Sequence, residues 1–266
     1  MMRALWINDI HLDFLQDRGV KRFFEEMNDQ DADCILIAGD VAQAPTVNDY
    51  LRKMKKTVRR PIFFVLGNHD YYFGSIAEVR SSVVHLFSKS RYLHWVNQSG
   101  VTRLTERTAL IGHDGWGDGR LGDFHNSNVE LNDFVLIKEM KNLFKEELLR
   151  QLHILGDETA AHFRDVLPRA LEVSDHIVVL THVPPFLEAA WHDGRYCDPD
   201  WLPFFSCKAA GDVLKETMQK HPNKRMTVLC GHTHSGGTSQ ILPNLIVRTG
   251  RARYGHPEIQ DIFNWD

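Results

Sequence analysis

The sequence predicts an α/β fold, and two observations lead to this prediction. Short apolar runs rich in Ile, Val, Leu and Phe recur along the chain without alternating with polar residues. Such runs are typical of strands that are covered on both faces. In the first third of the chain they alternate with stretches of helical spacing, which is the pattern of an α/β sheet.

The first predicted elements are strands and helices in alternation. In chain order we expect a strand at 4–7, a helix at 20–28, a strand at 34–38, a helix at 47–58, a strand at 62–66 and a helix at 76–87. Each strand is a run such as CILIA or IFFVL, which ends abruptly at a polar residue or a glycine. The elements are short and closely spaced, as in a compact sheet with helical connections.

The middle of the chain predicts a helical insertion between two further strands, at 109–111 and 177–180. A Gly- and Asp-rich loop at 112–123 is followed by two stretches of helical spacing, near 130–152 and 157–173. We therefore expect a helical insertion at about 115–175, lying over the sheet. No repeat, low-complexity tract or Pro- or Ser-rich linker interrupts the chain, so we expect a single domain over 1–266.

The last part of the chain predicts a strand at 227–230 and then a change of pattern. Three short strands are expected at 238–242, 245–249 and 258–263, separated by Pro-Asn, Gly and Gly-His-Pro turns. Closely spaced strands with such turns are typical of an antiparallel meander.

Composition excludes several classes of protein. The 266 residues carry 31 Lys and Arg against 35 Asp and Glu, a formal charge of −4, which argues against a dedicated nucleic-acid binder. The four cysteines have no C-x-x-C spacing and are too few for a disulfide scaffold, so we expect a reduced compartment and a cytoplasmic protein. We expect no signal peptide and no membrane association, because every apolar run is short.

Polar side chains follow five of the predicted strands. The segments are Asn8-Asp9-Ile10-His11, Gly39-Asp40, Gly67-Asn68-His69-Asp70, Thr181-His182 and Gly231-His232-Thr233-His234. The carboxyl ends of strands in an α/β sheet form its binding crevice, so these groups are expected to meet. Residues i and i+2 leaving a strand point the same way, which lets Asp9 with His11, and His232 with His234, each address one point.

The chemistry of these groups predicts a metal centre. Three carboxylates, one carboxamide and five imidazoles offer nitrogen and oxygen without thiolate, which suits Mn, Fe or Zn. Nine groups exceed the capacity of one ion. Two ions about 3.5–4 Å apart, sharing a carboxylate and a water, would use most of them, and paired metals at that distance serve in-line displacement at phosphorus.

The five segments, in this order, resemble the signature of the calcineurin-like metallophosphoesterases: D-x-H, G-D, G-N-H-[D/E], H and G-H-x-H. The resemblance implies a four-layer α/β/β/α sandwich of two mixed sheets flanked by helices. It also implies roles for individual residues. Asp9, His11 and His234 would hold one metal, Asn68, His182 and His232 a second, and Asp40 would bridge them. His69 would be a proton donor to the leaving group, and Asp70 would orient its imidazole.

The implied reaction is hydrolysis of a phosphoester. Two divalent ions with Asp9, Asp40 and a bridging hydroxide leave a charge of about +1, which attracts an anionic ester while the hydroxide attacks phosphorus. The residues after Asp40 lack the D-x-x-D-R-G continuation of protein Ser/Thr phosphatases, and Asp70 stands where those enzymes carry Glu. The sequence is therefore more similar to the bacterial branch that includes small phosphodiesterases. A phosphomonoesterase or phosphoprotein phosphatase, a nuclease and a catalytically silent scaffold are the alternatives.

Two loops are expected to shape the site for a small phosphate ester. The loop at 112–123 offers His113, Trp116 and Arg120, and the segment at 184–201 offers His192 and Arg195. An arginine can fork onto phosphate oxygens, and an aromatic ring can stack on a base or close the pocket. The sequence does not indicate the oligomeric state.

Overall fold

The structure, a computed structural model, describes residues 1–266 and contains thirteen strands and eight α-helices. The strands are β1 (Met2–Ile7), β2 (Cys34–Ala38), β3 (Ile62–Val65), β4 (Leu93–Trp95), β5 (Thr102–Arg103), β6 (Thr108–His113), β7 (His176–Thr181), β8 (Trp191–His192), β9 (Arg195–Tyr196), β10 (Arg225–Cys230), β11 (Gly237–Leu242), β12 (Leu245–Thr249) and β13 (Asp261–Trp265). The helices are α1 (Asp17–Asp29), α2 (Val47–Val58), α3 (Ile76–Phe87), α4 (Val96–Ser99), α5 (Asp133–Leu136), α6 (Lys145–Val173), α7 (Leu202–Phe205) and α8 (Lys208–Lys220). The alternating strands and helices predicted in the first third are confirmed.

The strands form two mixed sheets and a separate hairpin. The first sheet has the order β13-β1-β2-β3-β4, and the second has the order β11-β12-β10-β7-β6-β5. In both sheets the central strands are parallel, and antiparallel strands lie at the edges: β13 in the first, β11 and β5 in the second. The hairpin pairs β8 with β9.

Successive side chains of a strand point to opposite faces of the sheet, and the apolar runs are continuous because both faces are covered. In β2, Leu36 and Ala38 pack in the core between the two sheets, together with Val178 and Leu180 of β7. The intervening residues of β2 pack instead with the apolar faces of α1, α2 and α3. The outer face of the second sheet is covered in the same way by α6 and α8. The result is the four-layer α/β/β/α sandwich, with a buried face on each side of both sheets.

The helical region between β6 and β7 differs from the prediction. Instead of two helices at 130–152 and 157–173, there is one 29-residue helix, α6, preceded by the four-residue helix α5. Gly156 falls in the expected gap between the two predicted helices. It lies inside α6 because the helix approaches the loop after β6 there: a Cβ at Gly156 would lie 2.5 Å from Cβ of Asp118.

The C-terminal strands also differ from the predicted meander. β11 and β12 form an antiparallel hairpin, but β12 continues the second sheet by pairing in parallel with β10. β13 crosses to the first sheet and pairs with β1, where Phe263 stacks on Trp265 and lies against Trp6. β1 pairs with β2 on one side and accepts β13 on the other. This pairing could not be predicted from the spacing of residues near β13. No helix of the fold is both long enough and apolar enough to cross a bilayer.

Candidate metal centre

Seven polar side chains lie together where strands of both sheets end. Asp9 and His11 follow β1, Asp40 follows β2, Asn68 follows β3, His182 follows β7, and His232 and His234 follow β10. Backbone bonds join these loops: the N–H of His11 donates to the carbonyl of Asp40 at 3.0 Å, and that of Gly231 to the carbonyl of His182 at 2.9 Å. A further contact of 2.8 Å joins Nδ1 of His182 to the carbonyl of Ala38, and so links the two sheets.

The backbone is strained where it delivers these side chains. Nine non-glycine residues have positive φ, and five of them belong to the seven: Asp9 (45°), His11 (39°), Asp40 (53°), His232 (71°) and His234 (58°). Such conformations cost about 1–3 kcal/mol each and persist only where the surroundings impose them. Their concentration at one edge indicates that the loops are built around the positions of these donor atoms.

At two positions of the motifs, any side chain larger than that of glycine would clash with a carboxylate of the site. A Cβ at Gly67 would overlap Oδ1 of Asp40, and a Cβ at Gly231 would overlap Oδ2 of Asp9. Each glycine therefore leaves room for a carboxylate from a neighbouring loop. A glycine lets the backbone approach another group closely, and the group approached here is a side chain of the site.

The first cluster of donor atoms is formed by Asp9, His11, Asp40 and His234. One donor atom from each lies within 4.8 Å of all the others. Nε2 of His11 is 3.2 Å from Nε2 of His234 and 3.7 Å from Oδ2 of Asp40, and Nε2 of His234 is 3.6 Å from Oδ1 of Asp9. These atoms surround one point.

The second cluster is formed by Asp40, Asn68, His182 and His232. Oδ1 of Asn68 lies 3.0 Å from both Nε2 of His182 and Nδ1 of His232, and these two nitrogens are 3.2 Å apart. Oδ1 of Asp40 is 3.5 Å from Nε2 of His182. The two oxygens of Asp40 thus face different clusters, which is the geometry of a bridging carboxylate.

The electrostatics of both clusters fit bound cations. Asp9 and Asp40 are buried, and the basic side chains within 4.0 Å of their carboxylates are histidines, with no Lys or Arg among them. Burial lowers the pKa of His11, His182 and His232 below its usual value, so these imidazoles are neutral. Burial, followed by the nearby Asp9, raises the pKa of Asp40. No cationic side chain balances these buried carboxylates. A metal ion bound by them and by the neutral nitrogens would supply the positive charge and stabilise the cluster.

Outer partners orient three of the donors. Nε2 of His232 lies 3.1 Å from the carbonyl of Phe204, and Nδ1 of His182 contacts Ala38 as described. Nδ2 of Asn68 donates to Oδ1 of Asp133 at 2.8 Å, which turns the amide oxygen of Asn68 toward the histidines. Partners of this kind hold metal ligands in the correct orientation.

His69 lies beside the clusters but faces the cavity. Its Nε2 is 3.3 Å from the hydroxyl of Tyr254, its ring centroid is 4.2 Å from that of Tyr72, and its buried Nδ1 has no hydrogen-bond partner. Burial, with smaller contributions from His182 and His234, lowers the pKa of His69 to about 3.

Asp70 does not orient His69, contrary to the role implied by the resemblance. Its carboxylate accepts hydrogen bonds from the backbone N–H groups of Val41 (3.0 Å), Ala42 (2.9 Å) and Gly67 (2.8 Å). The two residues lie in a 3-10 turn, His69–Tyr71, in which successive side chains point about 120° apart. Asp70 therefore ties the loop after β2 to the loop after β3, and burial raises its pKa to about 7.

A cavity of about 520 Å³ opens over the clusters. Asp40, Asn68, His69, His232 and His234 form part of its floor. Other parts of the lining come from the segment that leads into α5 (Glu130, Leu131, Asn132) with Asp133 at the start of that helix, from the β8–β9 hairpin (His192, Asp193) and from the C-terminal loop (Ala252, Tyr254). Tyr72, Phe205, Thr233 and Ser235 complete it. Its seventeen lining residues include no lysine or arginine.

The structure brings one of the five predicted substrate residues to this cavity. His192 lines it and packs on Trp201 and Phe205, with ring centroids 4.8 and 5.2 Å away. Arg195 pairs with His192 across the β8–β9 hairpin but is exposed and does not line the cavity.

The other three substrate residues lie away from the cavity. Nδ1 of His113 contacts the N–H of Gly115 at 3.2 Å and the hydroxyl of Thr159 at 3.1 Å, while Trp116 is 5% exposed. Arg120 pairs with Asp118 at 3.0 Å and Asp157 at 2.7 Å. His113 at the end of β6 and Arg120 in the loop after it contact Thr159 and Asp157 of α6, so these two side chains hold that helix rather than face the cavity.

Three residues at the site had no strong signal in the sequence. Tyr72 and Asp133 orient Asn68 from outside the motifs, and Tyr254 comes from the C-terminal loop. Tyr72 stands two positions after Asp70, the last residue of the third motif, and this proximity is the only indication in the sequence that it belongs to the site. Asp133 and Tyr254 reach the site through tertiary folding.

Comparisons with known proteins agree with this architecture. The model of the family described as calcineurin-like phosphoesterase matches residues 2–236. No curated protein sequence matches the chain.

Several solved structures share the fold. Phosphopantetheinyl hydrolase from Mycobacterium tuberculosis superposes with a TM-score of 0.68 at 16% identity, over 95% of this chain and 89% of that one. A dimetal phosphatase from Danio rerio gives 0.60 at 12% identity, over 96% and 89%. A third structure, TT1561 of Thermus thermophilus, gives 0.54 at 12% identity, over 94% and 89%. At these identities the likeness shows a common fold.

Proposed function

The chain belongs to the calcineurin-like phosphoesterase family and is a metal-dependent hydrolase of phosphoric esters, and from this premise we propose that its substrate is a small phosphodiester. The pair of donor clusters joined by Asp40 at the floor of a cavity supports the hydrolysis of a phosphoester. The observation that carries the choice of a diester is the absence of lysine and arginine from the cavity lining. Asp9, His11 and His234 would hold one ion, Asn68, His182 and His232 the other, and Asp40 both. The nitrogen and oxygen donor set suits Mn, Fe or Zn.

The chemistry of the bound ions complements that of the side chains. When bound, such ions supply a hydroxide nucleophile from water and stabilise negative charge on phosphoryl oxygens. The chain itself contributes neutral donors and a rigid frame. The buried clusters exclude bulk water from one side, and Asp70 fixes two of the loops that carry donors through its three backbone hydrogen bonds.

His69 is proposed to donate its proton to the leaving oxygen. It faces the cavity, it lies next to both clusters, and its nitrogens are not among the atoms that converge in either of them. An imidazole beside a bound phosphate gains stability from carrying a proton, because the opposite charge favours the imidazolium. Because His69 does not belong to either donor cluster, its Nε2, on the side of Tyr254 and the cavity, can carry this proton.

The charge of the cavity wall favours a diester over more highly charged esters. No lysine or arginine lines the wall, while Glu130 and Asp193 lie at its exposed rim. A diester carries one negative charge, whereas a monoester or a nucleoside diphosphate brings more charge without finding a cationic side chain. We therefore expect the leaving group to be uncharged or cationic.

A rate comparison on one sample tests the proposed function. The manganese-loaded protein is assayed with a cyclic nucleotide, bis(p-nitrophenyl) phosphate, p-nitrophenyl phosphate and a nucleoside diphosphate, and its metal content is measured in parallel. We expect the highest kcat/KM for a diester and the lowest for the nucleoside diphosphate. Asp40→Ala, purified in the same way, controls for contaminating phosphatases.

Two outcomes would count against the proposal. Turnover of none of the four esters by protein with full metal content would favour a catalytically silent scaffold. A clear preference for the monoester would exclude the diester assignment. The double variant E130Q/D193N should improve the monoester relative to the diester by about two- to fivefold, a small change because both carboxylates are exposed and screened.

A further inference from the structure

We propose that Tyr254 contacts the substrate and that its hydroxyl donates a hydrogen bond to a phosphoryl oxygen of the bound ester. This inference rests on the proposed function of the same cavity. It concerns a residue outside the motifs, because the family match ends at residue 236 and Tyr254 follows in the C-terminal loop.

The position of Tyr254 places its hydroxyl at the site. The residue lines the cavity, and its ring centroid lies 4.6 Å from that of His11 and 5.0 Å from that of His234. Phe14 packs against the same ring at 4.7 Å. The hydroxyl reaches past these rings to Nε2 of His69, at 3.3 Å. It therefore lies between the first donor cluster and the proposed proton donor.

The loop that carries Tyr254 is tied down at both ends. The N–H of Ala252 donates to the carbonyl of His234 at 3.1 Å, next to the first cluster. Arg251 bonds to Glu258 at 2.8 Å, and its backbone N–H and carbonyl both bond to the side chain of Gln260, at 3.0 and 2.9 Å. The chain thus holds the tyrosine in place through contacts that do not involve its hydroxyl.

The hydroxyl group of Tyr254 can donate a hydrogen bond that no group of the protein accepts. The buried Nδ1 of His69 has no partner, and a buried N–H without an acceptor is rarer than a lone pair without a donor. We therefore assign a hydrogen of His69 to Nε2, which faces the oxygen of Tyr254 in the free site and would turn to the leaving oxygen when an ester is bound. The O–H of Tyr254 is then free to donate into the cavity.

Comparison with Tyr72 shows why this free donor is significant. The hydroxyl of Tyr72 also lies near the cavity, but it donates to Asp133 at 2.7 Å and accepts from Asn68 at 3.2 Å, so it is fully used. Tyr254 instead offers a neutral donor on a wall that has no lysine or arginine. An anionic phosphoryl oxygen is the acceptor that such a donor would stabilise.

The test uses Tyr254→Phe, which keeps the ring packed on His11 and His234 and removes the hydroxyl alone. We expect unchanged metal content, a kcat/KM that falls about 10- to 100-fold, and a Kd for inorganic phosphate, measured by calorimetry, that rises about tenfold. Because the contact is to a phosphoryl oxygen, the loss in rate should be the same for good and poor leaving groups. Tyr196→Phe, at an exposed tyrosine that does not line the cavity, should leave all three quantities unchanged.

A double variant separates contact with substrate from positioning of His69. If Tyr254 touches the ester, Tyr254→Phe should still lower kcat/KM and phosphate affinity in a His69→Ala background. If its effect vanishes there, Tyr254 acts only through His69 and the proposed contact is wrong. Unchanged phosphate affinity and rate in Tyr254→Phe would overturn the inference as well.

Phosphate binding also distinguishes this inference from the proposed function. Suppose that the wild type turns over no ester, yet Tyr254→Phe binds phosphate more weakly than the wild type. The contact of Tyr254 with the anion would then stand, and the hydrolase assignment would be wrong. If the wild type turns over a diester and Tyr254→Phe equals it in every measurement, the hydrolase assignment stands and the contact is disproved.

Discussion

At His69, one ring nitrogen faces the hydroxyl of Tyr254 and the other has no partner. Since neither nitrogen belongs to a donor cluster, His69→Ala should keep the bound metal ions. Turnover should fall about 10²- to 10⁴-fold, the range expected for loss of a general acid, with the largest loss for esters with poor leaving groups. Metal analysis and kcat across a series of aryl esters measure the two effects on the same sample.

His234→Ala is the matched control, because it removes an imidazole of the first cluster whose Nε2 lies 3.2 Å from that of His11. It should show its effect in metal content. If His69→Ala lost metal to the same extent, the separation of proton donor from ligand would be wrong.

Asp133 is expected to act on metal binding through Asn68. Its Oδ1 accepts from Nδ2 of Asn68 at 2.8 Å and from the hydroxyl of Tyr72 at 2.7 Å. Asp133→Ala leaves the buried hydroxyl of Tyr72 without an acceptor and removes the shorter of the two hydrogen bonds that hold Nδ2 of Asn68. The amide of Asn68 is then held less firmly, so the affinity for the second ion should fall about 10- to 100-fold. Asp133→Asn keeps one oxygen acceptor and should retain most of that affinity. Equal metal affinity in the alanine variant and the wild type, measured by titration of metal-free protein, would show that Asp133 has no such role.

Local rules account for what could be predicted at individual residues. Asp9, His11, Asp40 and the other donors could be expected to converge because each stands at the end of a buried strand. The direction of Asp70 could not, since it depends on a 3-10 turn that rotates it away from His69. The contact between Asp133 and Asn68 could not be predicted either, because the two residues lie 65 positions apart and no local pattern relates them.

Among the elements, α6 owes its packing to a glycine. A Cβ at Gly156 would lie 2.5 Å from Cβ of the fully buried Asp118, whose carboxylate accepts from the N–H of Ala209 at the start of α8. Gly156→Ala should therefore destabilise the fold by about 1–3 kcal/mol, the usual cost of overpacking. In an unconstrained helix the same change is stabilising, so the sign of the effect is diagnostic.

Urea unfolding measures this effect. Ile154→Ala, at a position of the same helix that is 59% exposed, should change the free energy of unfolding by less than about 1 kcal/mol. A Gly156→Ala variant as stable as the wild type would mean that the helix can move away from the loop at little cost.

Some elements could be predicted and others not, for reasons that are physical. α2 and α3 match their predicted ranges, because each has an apolar face of helical period bounded by polar residues. The division of α6 was wrong because a glycine that serves packing has the same local appearance as one that ends a helix. The path of β13 was missed because its partner, β1, is the first strand of the chain.

For the whole molecule, the two clusters join the two halves of the sandwich. Asp9, Asp40 and Asn68 come from the first sheet, whereas His182, His232 and His234 come from the second. Metal ions that bind the folded chain at this edge should stabilise it by linkage, by about 3–4 kcal/mol when free metal exceeds Kd by 100- to 1,000-fold. Removal by a chelator should lower Tm by several degrees in calorimetry, and manganese should restore it. A Tm that is the same with and without chelator would indicate that the clusters hold no ion.

The four-layer architecture follows from the sequence in outline because buried runs without polar alternation need cover on both faces. The assignment of strands to two sheets does not follow, since it is decided by the core between them, where Leu36, Val178 and Leu229 meet from three different strands.

The central claim is that two ions at the joined clusters carry the hydrolytic activity of this chain. The most direct test titrates metal-free protein with manganese and follows both the ions bound per chain and the rate of bis(p-nitrophenyl) phosphate hydrolysis. The account predicts that the rate rises until two ions are bound and is constant thereafter. Full activity with a single ion per chain, or no hydrolysis with two, would contradict it.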